Sequence, residues 1–321
     1  MLSKLYVIAK NTFIETVRQP VYAVILLISL ILLILSPSIT MYSIDDDNKL
    51  LREICLSTLF LSGLFIAIFS SSGAIAAELE SKTASTLLCK PVPRFIFVIG
   101  KFLGVTTAVA LAHYICTIAM LLIMRHGVMQ TASDEMDMTV VLVAAVTLLT
   151  AFSLGAFFNF SWDWNFPSAT IVTGTIVGSV GTLFLSFFDS TWKFNPAENK
   201  FHIFDIYSSL LLLLAIIVIV ALAIMFSTRF NVVITLSFCV GVFLLGLISD
   251  YVFGRFAEVH LWAQAARVIV PNLQVFWISD AIYENSTIPG IYIAKTAVYA
   301  LCYTLGILSL ATALFQTREV S

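Results

Sequence analysis

Few side chains in this sequence have the reactivity for proton transfer, nucleophilic attack or metal binding, and their spacing decides what they can do. His113 lies inside an apolar run. A histidine in such a place suits proton transfer or ligand hydrogen bonding. No acid, base or second histidine stands three or four residues from it, so a packed, hydrogen-bonded role is expected. His126, His202 and His260 fall at the ends of apolar runs, where water reaches them. Cys55, Cys89, Cys116, Cys239 and Cys302 are scattered without a CxxC or other metal-like spacing and read as buried, inert thiols. HExxH, GxSxG and phosphate-loop patterns are all missing. Asp163, between Trp162 and Trp164, is either a turn residue at an interface or a contact for a partner. Asp205 and Asp250 lie near the ends of apolar runs, and the runs hold almost no charge, so a proton relay or ion antiporter is disfavoured. No residue is assigned a catalytic, cofactor-binding or metal-ligating role, and the chain is expected not to be an enzyme.

The elements that hold these residues are apolar helices. The chain has 321 residues, of which 60% are hydrophobic and 11% charged, with a mean hydropathy of +1.01. Soluble domains are about a quarter charged, so this is an all-α, polytopic membrane protein. The net charge of −2 gives no sign of nucleic-acid binding. No cleavable signal peptide is expected, because the first twenty residues are interrupted by polar ones.

A span needs about 20 apolar residues to cross a ~30 Å core. Eight runs qualify: 21–43, 54–76, 96–124, 139–159, 168–188, 204–227, 231–253 and 290–315. Before them, residues 1–19 place Leu2, Leu5, Tyr6, Ala9, Phe13 and Val17 on one helical stripe, broadened by Val7 and Ile14. Lys4, Lys10, Asn11, Glu15 and Arg18 fall largely on the other side. Such a helix lies in the membrane interface, and Pro20 ends it. Residues 255–289 are too polar for a span and too apolar for a free loop. With Trp262, Trp277 and Tyr283 they read as one or two short helices at the outer leaflet. The Gly, Ser and Thr of 173–181 suit close helix packing. Stretches 151–160 and 223–230 echo one another as the ends of two span–turn–span hairpins.

Lys and Arg set the orientation. With the N-terminus inside, inner segments hold nine and outer ones eight, which barely discriminates. The early segments decide. Lys4, Lys10, Arg18, Lys82, Lys90, Arg94 and Lys101 fall inside, against Lys49, Arg52 and Arg125 outside. Both termini and residues 78–101 are therefore expected in the cytoplasm of a multi-pass cell-membrane protein.

Residues 78–101 read ELESKTASTLLCKPVPRFIFVIGK. Glu78 and Lys82 sit four apart, as in a helix. Pro91 and Pro93 stop it. A polar helix of about three turns exceeds what a membrane hairpin needs, so something docks here. A basic loop that merely fixes topology would explain the charge, but not the length or the two prolines.

The string E-x-E-x-K-T-x-x-x-L-L-x-K-P-V-x-R-x-x-F-x-x-G-K resembles the segment that permeases of type 2 ABC exporters place between their second and third spans. Residues 11–22, 271–281 and 314–319 resemble a bacterial subgroup of the same permeases. The resemblance covers both ends of the chain and the middle poorly. It implies one membrane-embedded permease domain over 1–321, with an interfacial elbow helix at 1–19, a cytoplasmic coupling helix at 78–94 and a semi-buried outer segment at 255–289. It further implies that a separate ATP-binding subunit, which carries ATP and Mg, docks on the coupling and elbow helices. A second permease chain, identical or different, completes the unit. This chain would bind no cofactor itself. Carried onto this sequence, Glu78, Glu80, Lys82 and Thr83 would face the ATPase. Leu87 and Leu88 would anchor the helix, and Pro91, Val92 and Arg94 would turn the chain back. The family commonly has six spans. Eight here implies an added hairpin between about 160 and 227, or a re-entrant run there. A non-transporting scaffold subunit of a larger complex is the alternative, and no residue names a cargo.

Overall fold

The computed structural model describes residues 1–41, 47–80, 93–129, 136–257, 260–278 and 287–316. They form ten α-helices: α1 (Leu2–Arg18), α2 (Pro20–Thr40), α3 (Asp47–Glu80), α4 (Arg94–His126), α5 (Met138–Trp162), α6 (Phe166–Leu185), α7 (Ile203–Ser227), α8 (Val232–Ala257), α9 (Leu261–Ile269) and α10 (Gly290–Gln316). All except α1 and α9 are long and apolar enough to cross a membrane, one for each run expected from hydropathy. The runs at 168–188 and 204–227 are each a complete helix of crossing length, α6 and α7.

The helix boundaries have local causes. Pro20 opens α2, where its missing N–H costs nothing. Pro37 cannot donate to the Leu33 carbonyl inside α2, and the Ser36 hydroxyl donates to it instead at 2.7 Å. Asp137 caps α5 by accepting from the Thr139 and Val140 amides. Asp163 ends α5 in the left-handed region at φ 53°, donating its amide to the Phe158 carbonyl, and the Asn165 side chain starts α6 by accepting from the Ser168 amide. Asp163 is thus an exposed turn residue.

The helices differ from the expected runs mainly in length. α3 starts at Asp47 and continues to Glu80, taking in Lys49, Arg52 and Glu53 at one end and Glu78 at the other. Its 34 residues reach about 51 Å at 1.5 Å each. A hydropathy window trims such polar turns from a span.

The chain divides into two compact units. One contains Met1–Thr16, Gly63–Val109 and Leu210–Ser321, and the other Val17–Ser62 and Ala110–Ser209. Helices α3, α4 and α7 contribute to both and are the most buried spans, α7 at 72%. In the second unit α5 and α6 zip together through small residues. A methyl on Gly155 would collide with the Thr170 hydroxyl, and one on Gly181 would meet Val143 at 2.8 Å. The Thr173 hydroxyl donates to the Ala151 carbonyl at 3.1 Å. The small residues of 173–181 therefore pack helices. Ile118, Leu122, Val140 and Leu185 form the adjoining core, with Phe201 against it.

Candidate functional site

In the first unit, the opening turns of α4 are held on two sides. One side is α1. A methyl on Gly100 would lie 2.7 Å from Ile8, and one on Gly104 would lie 2.5 Å from Thr12 and 2.6 Å from the Ala9 carbonyl oxygen. Gly100 and Gly104, four apart on one face, let the two backbones approach as only glycine allows. The packed line of α1 is therefore Leu5, Ile8, Ala9 and Thr12, while Leu2 and Tyr6 stay exposed. The packed face is rotated from the expected apolar stripe, with Ile8 and Thr12 set against the two glycines. Lys101, between the glycines, is buried. Its ammonium lies 3.9 Å from the Glu15 carboxylate and 5.7 Å from the Phe97 ring centroid.

The other side is the C-terminal end of α10. Arg94, the first residue of α4, donates through Nη1 to the Phe315 carbonyl at 3.0 Å and the Gln316 carbonyl at 2.6 Å. Its guanidinium lies 5.9 Å from the Phe315 ring, which stacks on Phe97 at 5.5 Å and 15°. Arg229, in the turn between α7 and α8, donates through Nη2 to the Leu314 carbonyl at 2.8 Å. Helix ends leave their last carbonyls without intrahelical partners and carry partial negative charge. Two guanidinium groups satisfy three consecutive carbonyls of α10. In the same unit, Ser72 and Ser227 hydroxyls meet at 3.2 Å near the ends of α3 and α7.

A second arginine centre lies in the other unit. Arg125, in the last turn of α4, is among the largest fully buried side chains. Its Nε donates to Asp137 at 3.4 Å, Nη2 to the Thr139 hydroxyl at 3.0 Å and Nη1 to the carbonyl of Leu185, the last residue of α6. The Phe201 ring lies 5.4 Å away. Burial alone would raise the pKa of the Asp137 carboxyl. The Thr139 hydroxyl, the Arg125 charge and the Val140 amide outweigh it and hold the carboxyl below its ordinary value. Nearby, Arg52 donates to buried Asp205 at 2.6 Å and covers Phe204 at 5.3 Å. These pairs lie outside the expected apolar runs or at their margins, and the runs themselves hold almost no charge. Each partner sits in an end turn, and the pairing crosses up to 153 positions. The signal available was sidedness: Arg52, Arg125, Asp137 and Asp205 all fall on the face expected to lie outside.

His113 has the packed role its isolation implied. Its Nε2 donates to the Ser209 carbonyl at 2.9 Å, and the Ser209 hydroxyl meets Thr117 at 2.6 Å. Cys55, Cys116 and Cys239 are buried, whereas Cys302 is exposed, correcting the expectation for that thiol. His126 is half-buried with Nδ1 enclosed, so it is not the solvated group expected.

In the 255–289 segment, α9 is followed by a 3-10 turn at Gln274–Phe276. Leu273 donates its amide to the Gly246 carbonyl at 3.0 Å, and a methyl on Gly246 would meet the Pro271 oxygen at 2.7 Å. Along α10, Tyr303 bonds the Ile269 carbonyl, Tyr299 accepts from the Asn272 amide and Tyr292 donates to the Val275 carbonyl. The 271–276 stretch is thereby fixed to α8 and α10.

Of the residues assigned to partner docking, Arg94 is described and is the first residue of α4. Glu78 and Glu80 are in the last turn of α3, continuous with the span. Lys82, Thr83, Leu87, Leu88, Pro91 and Val92 lie outside the described residues. The structure adds Gly104 and Arg229, and it gives Gly100, the glycine of the matched string, a packing role. A G-x-x-x-G spacing was the visible sign of the glycine pair.

Residues 6–160, from α1 almost to the end of α5, match the model of a family described as ABC-2 family transporter protein. No curated protein matches the chain.

Proposed function

We propose, from the match of residues 6–160 to a family described as ABC-2 family transporter protein, that the chain couples ATP hydrolysis on a separate subunit to export of a substrate. A permease of an ABC transporter is the membrane component and not itself the catalyst. The ATP-binding subunit docks on residues 78–92 and on α1. Glu78, Glu80, Lys82 and Thr83 face it, and Leu87 and Leu88 anchor the contact. Pro91, Val92 and Arg94 return the chain to the membrane. Two permease chains and two ATPase chains form the working unit, with both termini in the cytoplasm of a cell membrane.

One observation carries this reading. The two segments that would meet the ATPase lead into a single packed block, because α1 is set into Gly100 and Gly104 of α4, the helix that directly follows the docking stretch. Force applied to either segment reaches the same three turns. The gathering of the α4 start, the α7–α8 turn and the α10 end in one unit also supports their common sidedness.

The test is co-purification from detergent with the ATP-binding subunit encoded nearby, followed by ATPase assay in liposomes. Glu78→Ala and Thr83→Ala are expected to lower turnover while leaving the permease folded, which thermal unfolding in detergent checks. Failure to recruit an ATPase removes the basis for the proposal. Recruitment with unchanged turnover would make the chain a scaffold.

A further inference from the structure

We infer that Arg94 and Arg229 are positioning residues that make the last span, α10, an output of the coupling stroke; this rests on the coupling role proposed above. Arg94 is two positions beyond the proposed docking stretch. Any displacement of that stretch reaches its backbone before any other described side chain of α4. The guanidinium then bridges to the α10 end through two carbonyls, at 3.0 and 2.6 Å. Both bonds leave one nitrogen, Nη1, whose two protons lie in the guanidinium plane, so the pair of acceptors fixes the orientation of that plane, whereas an ammonium rotates freely. Stacking of Phe97 on Phe315, one turn further along α4, resists rotation about this contact.

Arg229 extends the connection. It holds the next carbonyl of α10, that of Leu314, from the α7–α8 turn. Three consecutive carbonyls are therefore gripped from two chain connections. Translation of α4 along its axis carries the α10 end with it, and the α7–α8 turn must follow or release its bond. Arg94 is half-buried and Arg229 exposed, so these bonds exchange with water at low cost. Such a joint can transmit displacement and also reset. α10 carries the tyrosines that fix the 271–276 stretch, so its movement reaches that stretch as well.

The test is hydrogen exchange on the intact permease–ATPase complex in detergent, comparing the nucleotide-free state with the state trapped by ATP, Mg and vanadate. In the wild type, peptides covering 94–104 and 307–316 should both change protection on trapping. In Arg94→Gln/Arg229→Gln, the change at 94–104 should remain and that at 307–316 should be lost. Arg94→Lys/Arg229→Lys should restore only part of it. A merely structural cap would raise exchange at 307–316 in both states and leave the nucleotide-dependent difference intact, which overturns the inference. A wild-type response at 94–104 without one at 307–316 overturns it alone. No response at either segment overturns the coupling role and this inference together. Should the double variant fail to assemble, Arg229→Gln alone, at an exposed side chain, must reduce the 307–316 change.

Discussion

Two arginine centres in this protein do the same local chemistry in opposite surroundings. Arg125 caps the end of α6 through the Leu185 carbonyl, and Arg94 with Arg229 caps the end of α10. Arg125 is sealed from water and faces a carboxylate, a hydroxyl and an aromatic ring. Of the α10 arginines, Arg94 is half-buried over the Phe315 ring and Arg229 is exposed. A buried charge is costly to leave unpaired, so the first centre fixes how α4, α5 and α6 meet. A solvated one is inexpensive to move, which suits a contact that must be made and broken. Identical bonds thus serve as a lock or as a joint according to burial.

The comparison can be broken most forcefully at Arg125. Arg125→Ala should cost about 3–5 kcal/mol, because Asp137 is left buried without its partner. Thermal unfolding in detergent would show it, and a small effect would mean that the centre is not sealed. Gly104→Val comes next. Its added carbons would press on the Ala9 carbonyl, a backbone atom, and about 1–3 kcal/mol of overpacking is expected. Limited proteolysis should then cut α1 faster. Arg94→Gln should cost about 1 kcal/mol or less of stability, while reducing the nucleotide response of α10. A stability loss as large as that of Arg125→Ala would erase the distinction drawn here.

The mildest test is pH. The carboxyl of Asp137 is held below its ordinary value of 3.8 in the fold. Its contribution is therefore fully present above that value and is lost as pH falls through the lower, folded value. Unfolding midpoints should stay flat near neutrality and drop below pH 3.8. Asp137→Asn should be less stable at neutral pH and lack that component of the acid drop.

The eight spans were legible because length and hydropathy suffice to identify them, and Pro20, Asp137, Asp163 and Asn165 mark several ends by their own chemistry. What hydropathy hid was the overhang. The first turn and a half of α3 is as polar as a loop, yet Arg52 there is paired with Asp205. Long-range pairs depend on which helices neighbour one another, and one sequence does not contain that. In the candidate site, Arg94 was picked out by motif, but its acceptors are backbone carbonyls, and a carbonyl has no residue identity to read. The G-x-x-x-G spacing was visible, whereas its partner on α1 was not, since Ala9 and Thr12 are small rather than distinctive.

Between about 160 and 227, where an added hairpin was expected, lie α6 and α7, and α7 is the most buried span. α6 zips to α5, and these two spans have only 28% and 17% of their apolar stretches buried. Such a pair meets its packing needs internally and offers the rest of its surface to lipid. It also enters and leaves on the same side of the bilayer. Deleting or inserting it changes the number of crossings by two, so parity is conserved and every later segment keeps its side. A chain can therefore change its crossing number at this place without inverting the end of α10, where the solvated joint lies.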